Sequence, residues 1–288
     1  MRDFDFHEPA SLTEAVSMLS DLGDECRVFA GGSALMLAMR QRMLSPISVI
    51  SLGRLHELRR IDFDARNGLR IGAMARHCEI AASPWVRTHF PVLASMASRL
   101  ANPQVRNQGT LGGNLCYADP STDPPGCLLA LGAQAVILGP AGERVLPFDA
   151  FLVDYFTTAL EPDEILTEIR VPLSPPQTVA TYVRHLRTAA EHRPLANVTL
   201  VVQRHQVTCI GASLVIGAST AIPMHLSRAE SLLCGQTVTL NLAEEAADIA
   251  AKDMLAISDA RGSADLRRTV VRGLVKRTIA ETFGLSWS

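Results

Sequence analysis

The chain has 288 residues, enough for about two domains at roughly 150 residues each. Apolar residues make up 48% of it, charged residues 19% and aromatic residues 5%, which describes a globular chain whose interior is filled by small aliphatic side chains and excludes a disordered one. With 27 Lys and Arg against 29 Asp and Glu the net charge is -2, so no overall positive field favours nucleic acid or an anionic membrane.

Six cysteines stand at 26, 78, 116, 127, 209 and 234, none in C-x-x-C spacing, so neither a zinc knuckle nor a ferredoxin-type cluster is written here. They read as reduced, intracellular thiols. The opening MRDFDFHEPA carries acids where a secretory signal has a basic region, which leads us to expect a cytoplasmic protein. The most apolar segment, residues 127–139, is well short of the ~20 residues that cross a bilayer, so no transmembrane segment is expected. The mean hydropathy of +0.17 is high for a soluble monomer, and a large interface with other chains would account for it.

Ser11-Leu12-Thr13-Glu14 has the capping-box spacing, and Leu12, Ala15, Val16 and Leu19 continue it as a helical stripe ending near Gly23. Residues 26–30 predict a strand, Gly31-Gly32 a turn, and Ser33 the N-cap of a second helix carrying Leu35, Met36 and Met39. Residues 47–52 predict another strand, and 58–63 with 69–73 a hairpin about Asp64-Ala65-Arg66-Asn67-Gly68. Residues 75–101 are helical in short pieces interrupted at Pro84 and Pro91, and 102–126 reads as loop-rich. A second hairpin brackets residues 139–143, a strand covers 165–171, and Ser174-Pro175-Pro176 is the best linker. Strands at 181–186, 198–203 and 207–215 then precede amphipathic helices at 226–233, 241–256 and 263–282.

Three segments carry chemistry. Ala30-Gly31-Gly32-Ser33 sets two residues without side chains between a strand and a helix N-terminus, where unpaired N–H groups and the helix dipole can cradle phosphate without Lys or Arg. Taken alone, the same letters more often mark only a tight connection. Gly109-Thr110-Leu111-Gly112-Gly113-Asn114 is a second glycine loop, open to a bulge or sharp corner as the alternative. In Asp119-Pro120-Ser121-Thr122-Asp123-Pro124-Pro125 the carboxylates read as hydrogen-bond acceptors or as turn and helix-capping residues; a metal site lacks a third ligand.

Taken together, AGGSALM (30–36), QVRNQGTLGGNLCYADPSTDPP (104–125) and LPFDAFLVDYFTTALEPDEILTEIRVP (146–172) resemble the FAD-binding medium subunits of molybdenum hydroxylases, the family that includes carbon monoxide dehydrogenase-type and nicotine dehydrogenase-type enzymes and the flavin domain of xanthine dehydrogenase. The likeness runs from about residue 3 to 284. It implies an α+β chain: a vanillyl-alcohol-oxidase-type FAD-binding fold of two α/β subdomains, about 1–57 and 58–175, then a C-terminal domain of a small antiparallel sheet plus helices over 176–288. It implies FAD contacts at Ala30, Gly31, Gly32, Ser33, Ala34 and Leu35 for the diphosphate, at Thr110, Gly113 and Asn114 beside it, and at Asp123 as an acceptor. Leu160 matches a position near the isoalloxazine or adenine, and His192, within a segment near the flavin face, is a candidate donor to the ring; an exposed loop histidine reads equally well there. Tyr155 is open to a core role or to stacking on the ring. Ala34 departs from relatives that carry an acid there, and no cysteine cluster interrupts 104–172, which sets aside the iron-sulfur-bearing hydroxybenzoyl-CoA reductase branch.

The function so implied is electron transfer: a flavin subunit receiving electrons from a small subunit with two-iron iron-sulfur clusters and passing them to an external acceptor. Substrate is oxidised on a large molybdopterin-binding subunit, generally in a dimer of heterotrimers. A stand-alone FAD-dependent oxidase or reductase of the same fold is the alternative, although no catalytic base is evident, and a scaffold without flavin is a third reading.

Overall fold

Three principal sheets follow one another along the chain, and the computed structural model describes residues 2–285. The first sheet is parallel, in the order β1 (Asp5–His7), β3 (Ser48–Ser51), β2 (Cys26–Phe29). The three-residue β1 is too short to show a periodicity and was not expected from sequence. Helix α1 (Leu12–Leu22) covers this sheet, burying Ala15, Val16 and Leu19 with Cys26, Ile50 and Leu58. Ser11 caps its start as expected, Glu14 N donating to Ser11 Oγ at 3.1 Å, but Glu14 Oε2 accepts from Ala10 N at 2.6 Å, one residue ahead of the N–H that a full capping box would use.

Between β2 and β3 runs α2 (Leu35–Arg40), and here the expected cap is corrected. Ala34 takes the N-cap position, with no side-chain bond, in place of Ser33. Gly32 lies at φ +70°, so the chain makes one more turn before the helix begins, with Met36 N bonded back to Gly32 O at 3.0 Å.

The second sheet has the order β4 (Ile61–Asp64), β5 (Gly68–Gly72), β10 (Ile165–Val171), β6 (Gln134–Gly139), β7 (Gly142–Pro147), all antiparallel. Both expected hairpins form; in the first, Asp64 Oδ1 accepts from Arg66 N at 2.8 Å and Asn67 N at 2.7 Å. A small hairpin of β8 (Leu152–Asp154) and β9 (Thr157–Thr158) precedes β10. Six helices connect β5 to β6: α3 (His77–Ala82), α4 (Pro84–His89), α5 (Pro91–Arg99), α6 (Pro103–Gln108), α7 (Leu111–Tyr117) and α8 (Pro124–Ala130). The stretch 102–126 is therefore largely helical rather than loop-rich. Asn102 caps α6 by accepting from Val105 N at 2.8 Å and Thr110 caps α7 by accepting from Gly113 N at 3.1 Å, opening helices too short to display a hydrophobic period. Leu93, Met96, Leu111 and Leu128 pack with Leu69, Ile71 and Ile169 of the sheet.

The third sheet is antiparallel, β11 (Thr178–His185), β12 (Ala196–His205), β13 (Thr208–Gly217), β14 (Met224–His225), reached through Ser174-Pro175-Pro176. Helices α9 (Ser227–Leu233), α10 (Leu240–Asp253) and α11 (Ala264–Phe283) close over it, burying Val198, Leu200 and Leu214 with Ala246, Val275 and Ile279. Among the described residues no helix is long and apolar enough to cross a membrane.

Candidate cofactor site

The two glycine segments, some 80 residues apart in sequence, lie against each other. Gly31 presses so close on the second segment that a Cβ there would stand 2.2 Å from Gln108 O and 2.9 Å from Gly109 Cα. A Cβ at Gly113 would lie 3.4 Å from the Ala30 methyl, and one at Gly109 would lie 3.5 Å from Ser33 Oγ. At Gly32 a side chain would meet the Phe29 ring at 2.4 Å, on a backbone that L residues rarely adopt. The contacts that pin the segments together are made where side chains are missing.

Their hydrogen bonding differs. Among the described residues the N–H groups of Gly31, Gly32, Ser33, Ala34 and Leu35 donate no hydrogen bond, and all five residues are at least partly exposed. In the second segment Gly109 N donates to Val105 O at 2.7 Å, Leu111 N to Ala75 O at 2.9 Å, Gly112 N to Ala73 O at 2.8 Å and Asn114 N to Thr110 O at 3.0 Å, while Gly113 N is taken by Thr110 Oγ1. The second segment is a braced wall and the first is a cradle of free donors. Residues 30–35 and 108–114 contain no charged side chain, so the donors are neutral dipoles. That set, too narrow for a Cβ at two places, fits an anionic diphosphate that must come close to backbone. With α2 only six residues long, the aimed N–H groups supply the attraction rather than an extended helix dipole.

The remaining expected site residues form a chain leading away from the cradle. Asn114 Nδ2 donates to Thr122 Oγ1 at 2.8 Å, fixing the second segment to the residue before Asp123. Asp123 is 2% exposed and stands at the N-cap position of α8, yet its carboxylate does not cap that helix. It accepts from the Tyr182 hydroxyl, from Arg184 Nη1 at 2.9 Å and from Asn197 Nδ2 at 3.5 Å, all from the third sheet. Burial raises the carboxyl's pKa, and the guanidinium and the two other donors offset only part of that rise. Arg184 also donates to Arg99 O at 2.6 Å and to His192 O at 3.2 Å, so His192 joins the chain by its backbone while its side chain is exposed. Asp119, the other acid of this segment, pairs with Arg193 at 2.9 Å. Leu160 is half-buried against the core of the second sheet, and Tyr155 is 41% exposed and so is no core residue. Among the described residues no three His, Cys, Asp or Glu side chains gather as a metal site.

Sequence reasoning missed Gln108, His77, Tyr182 and Asn197, and reached Arg184 only as the start of a segment, 184–193, that the resemblance sets near the flavin face. Asn197 carried a signal, being the polar residue in the otherwise apolar start of the strand ANVTLVV. Nothing local marked Tyr182, and nothing local tied Arg184 to Asp123; both matter because a strand 60 residues on lies beside that acid.

A neutral backbone cradle for diphosphate, set between a parallel sheet and a helix-covered antiparallel one, defines an α+β dinucleotide-binding protein. The chain belongs to the FAD-binding family of molybdopterin dehydrogenases: the FAD binding domain in molybdopterin dehydrogenase matches residues 2–174, and the CO dehydrogenase flavoprotein C-terminal domain matches residues 166–282. It is 34% identical to the carbon monoxide dehydrogenase medium chain of Hydrogenophaga pseudoflava and 32% identical to the nicotine 6-hydroxylase medium subunit of Paenarthrobacter nicotinovorans, over 96% of each chain. The fold superimposes with a TM-score of 0.94, at 31% identity and over 99% of both chains, on a solved carbon monoxide dehydrogenase from Hydrogenophaga pseudoflava that lacks the Mo-pyranopterin moiety of its molybdenum cofactor. FAD is thus the cofactor of the family, and the free donors of residues 31–35 fit its diphosphate.

Proposed function

We propose that this chain is the FAD-bearing electron-transfer subunit of a multi-subunit molybdenum hydroxylase. The carrying observation is the pairing of five undonated N–H groups with a wall that a Cβ at Gly31 would displace. Bound FAD supplies the chemistry of accepting electrons singly and releasing them in pairs. The residues of this chain do the rest: 31–35 grip the diphosphate, Thr110, Gly113 and Asn114 form the wall beside it, and Asp123 with Arg184 ties that wall to the third sheet. On this reading Leu160 and His192 lie on the flavin side, residues 1–175 are the FAD-binding domain, with subdomains meeting near 57, and 176–288 are a separate C-terminal domain.

The partners are a large molybdopterin-binding subunit and a small iron-sulfur subunit, arranged as a dimer of heterotrimers in the cytoplasm. The exposed Phe6 of β1, Leu37 of α2, and Met43 and Ile47 of the loop from α2 to β3 suit a chain that docks on others. Expressed alone, the chain should be yellow and dithionite-reducible, yet inert to aromatic heterocycles, aldehydes and carbon monoxide. Anaerobic stopped-flow at the flavin band should show bleaching by substrate only after the two partners are added. Rapid bleaching of the isolated chain by an organic substrate would favour the stand-alone oxidase instead.

A further inference from the structure

His77, outside every segment assigned above, bears on the same cradle. It opens α3 and its N–H donates to Gly109 O at 3.2 Å, which holds the imidazole beside Gly109 of the second glycine segment. Its Cδ2 lies 3.4 Å from the point where a Gly109 side chain would begin, and Ser33 Oγ of the cradle lies 3.5 Å from that same point. The ring is 2% exposed, and Nδ1 is sealed off with no hydrogen-bond partner among the described residues. Nε2, next to Cδ2 on the edge facing Gly109, is not sealed off in this way, and among the described residues it makes no hydrogen bond. Burial lowers the imidazole pKa to about 4, so the ring is neutral near pH 7. A neutral imidazole carries one proton, and a buried orphan N–H is tolerated less readily than a buried orphan lone pair. The proton therefore belongs on Nε2, the side toward the cradle.

We infer that His77 is a cofactor-positioning residue, whose Nε2–H completes the floor of the cradle as a side-chain donor to the diphosphate. The inference rests on the FAD reading and adds to it a donor that neither glycine motif contains. A buried, uncharged imidazole suits this place because it adds one directed bond without a cation, in keeping with a cradle built from neutral dipoles.

The test uses the full chain stripped of flavin, with FAD, ADP and riboflavin as probes, since only the first two carry the diphosphate. His77→Phe keeps a planar ring and removes the donor; His77→Gln keeps a donor. FAD and ADP affinity should fall at least about tenfold in His77→Phe and recover to within about threefold in His77→Gln, while riboflavin affinity stays unchanged. In the wild-type chain, which needs no variant to fold, the His77 Nε2 resonance of 15N-histidine-labelled protein should move on adding ADP and stay still on adding riboflavin. Unchanged FAD affinity in His77→Phe, an equal loss for riboflavin, or an Nε2 signal indifferent to ADP each overturns the inference. A wild-type chain that binds neither FAD nor ADP overturns the FAD reading itself.

Discussion

The two Gly-Gly pairs of this chain are written in nearly the same letters and do opposite work. Ala30-Gly31-Gly32-Ser33 leaves its amides free and uses its glycines to let backbone approach backbone, Gly31 against Gln108 and Gly32 under the Phe29 ring. Gly109-Thr110-Leu111-Gly112-Gly113 spends its amides on Val105, Ala75, Ala73 and the Thr110 hydroxyl. There Gly112 is required because a Cβ would stand 2.5 Å from that of Ala73. What separates the proposed cradle from the wall is the fate of the N–H groups: Ala73 and Ala75 accept from the second segment, and among the described residues nothing accepts from residues 31–35.

The sharpest way to break that contrast is Gly32→Asp. It places a carboxylate beside the proposed diphosphate site, at φ +70° and against Phe29, so flavin binding should be abolished. Circular dichroism should remain that of a folded chain, because no buried bond of the wall is touched. Flavin retained at full occupancy would show that residues 31–35 do not hold the diphosphate.

Asp123→Ala probes the link between the wall and the third sheet. It strands Arg184, itself 9% exposed at the side chain, without its anion, and leaves Tyr182 without its acceptor. Loss of one partner of a buried pair costs about 3–5 kcal/mol, which chemical denaturation of the apo chain would report. FAD binding should weaken as well, by about 1–3 kcal/mol, since a carboxylate oxygen that accepts one bond from Arg184 retains a lone pair for the cofactor. A fall in stability with flavin affinity unchanged would reduce Asp123 to a clasp between the sheets.

Much of the fold could be read locally. The N-cap at Ser11, the Asp64 hairpin and the three C-terminal helices each carry their signal within a few residues, and each forms within a few positions of expectation. The failures share a cause. Residues 102–126 looked like loop because α6 and α7 have six and seven residues, less than two turns, and a stripe needs more than that to repeat. Ser33 looked like a cap because capping letters do not reveal that Gly32 takes positive φ. At the candidate site, the glycines and Asp123 were visible as motifs and Arg184 as part of a segment, whereas His77, Tyr182 and the pairing of Arg184 with Asp123 became visible only when distant strands and helices were laid beside them. Local chemistry announces itself in sequence, and its supports do not.

Thr110→Ala is the finest test of the comparison, because it asks whether the wall also contributes a donor of its own. Thr110 is 3% exposed, and its Oγ1 accepts from Gly113 N at 3.1 Å to start α7. That bond uses a lone pair and leaves the hydroxyl hydrogen free. Losing the cap should lower stability by about 1 kcal/mol. Losing the hydroxyl hydrogen should weaken FAD by about 0.5–1.5 kcal/mol, the size of one neutral hydrogen bond. Thr110→Ser should restore both, since it keeps cap and donor. Thermal unfolding of the apo chain and equilibrium dialysis with FAD separate the two effects. If stability falls and FAD affinity does not, the second segment is a wall only, and every polar contact with the diphosphate comes from residues outside it.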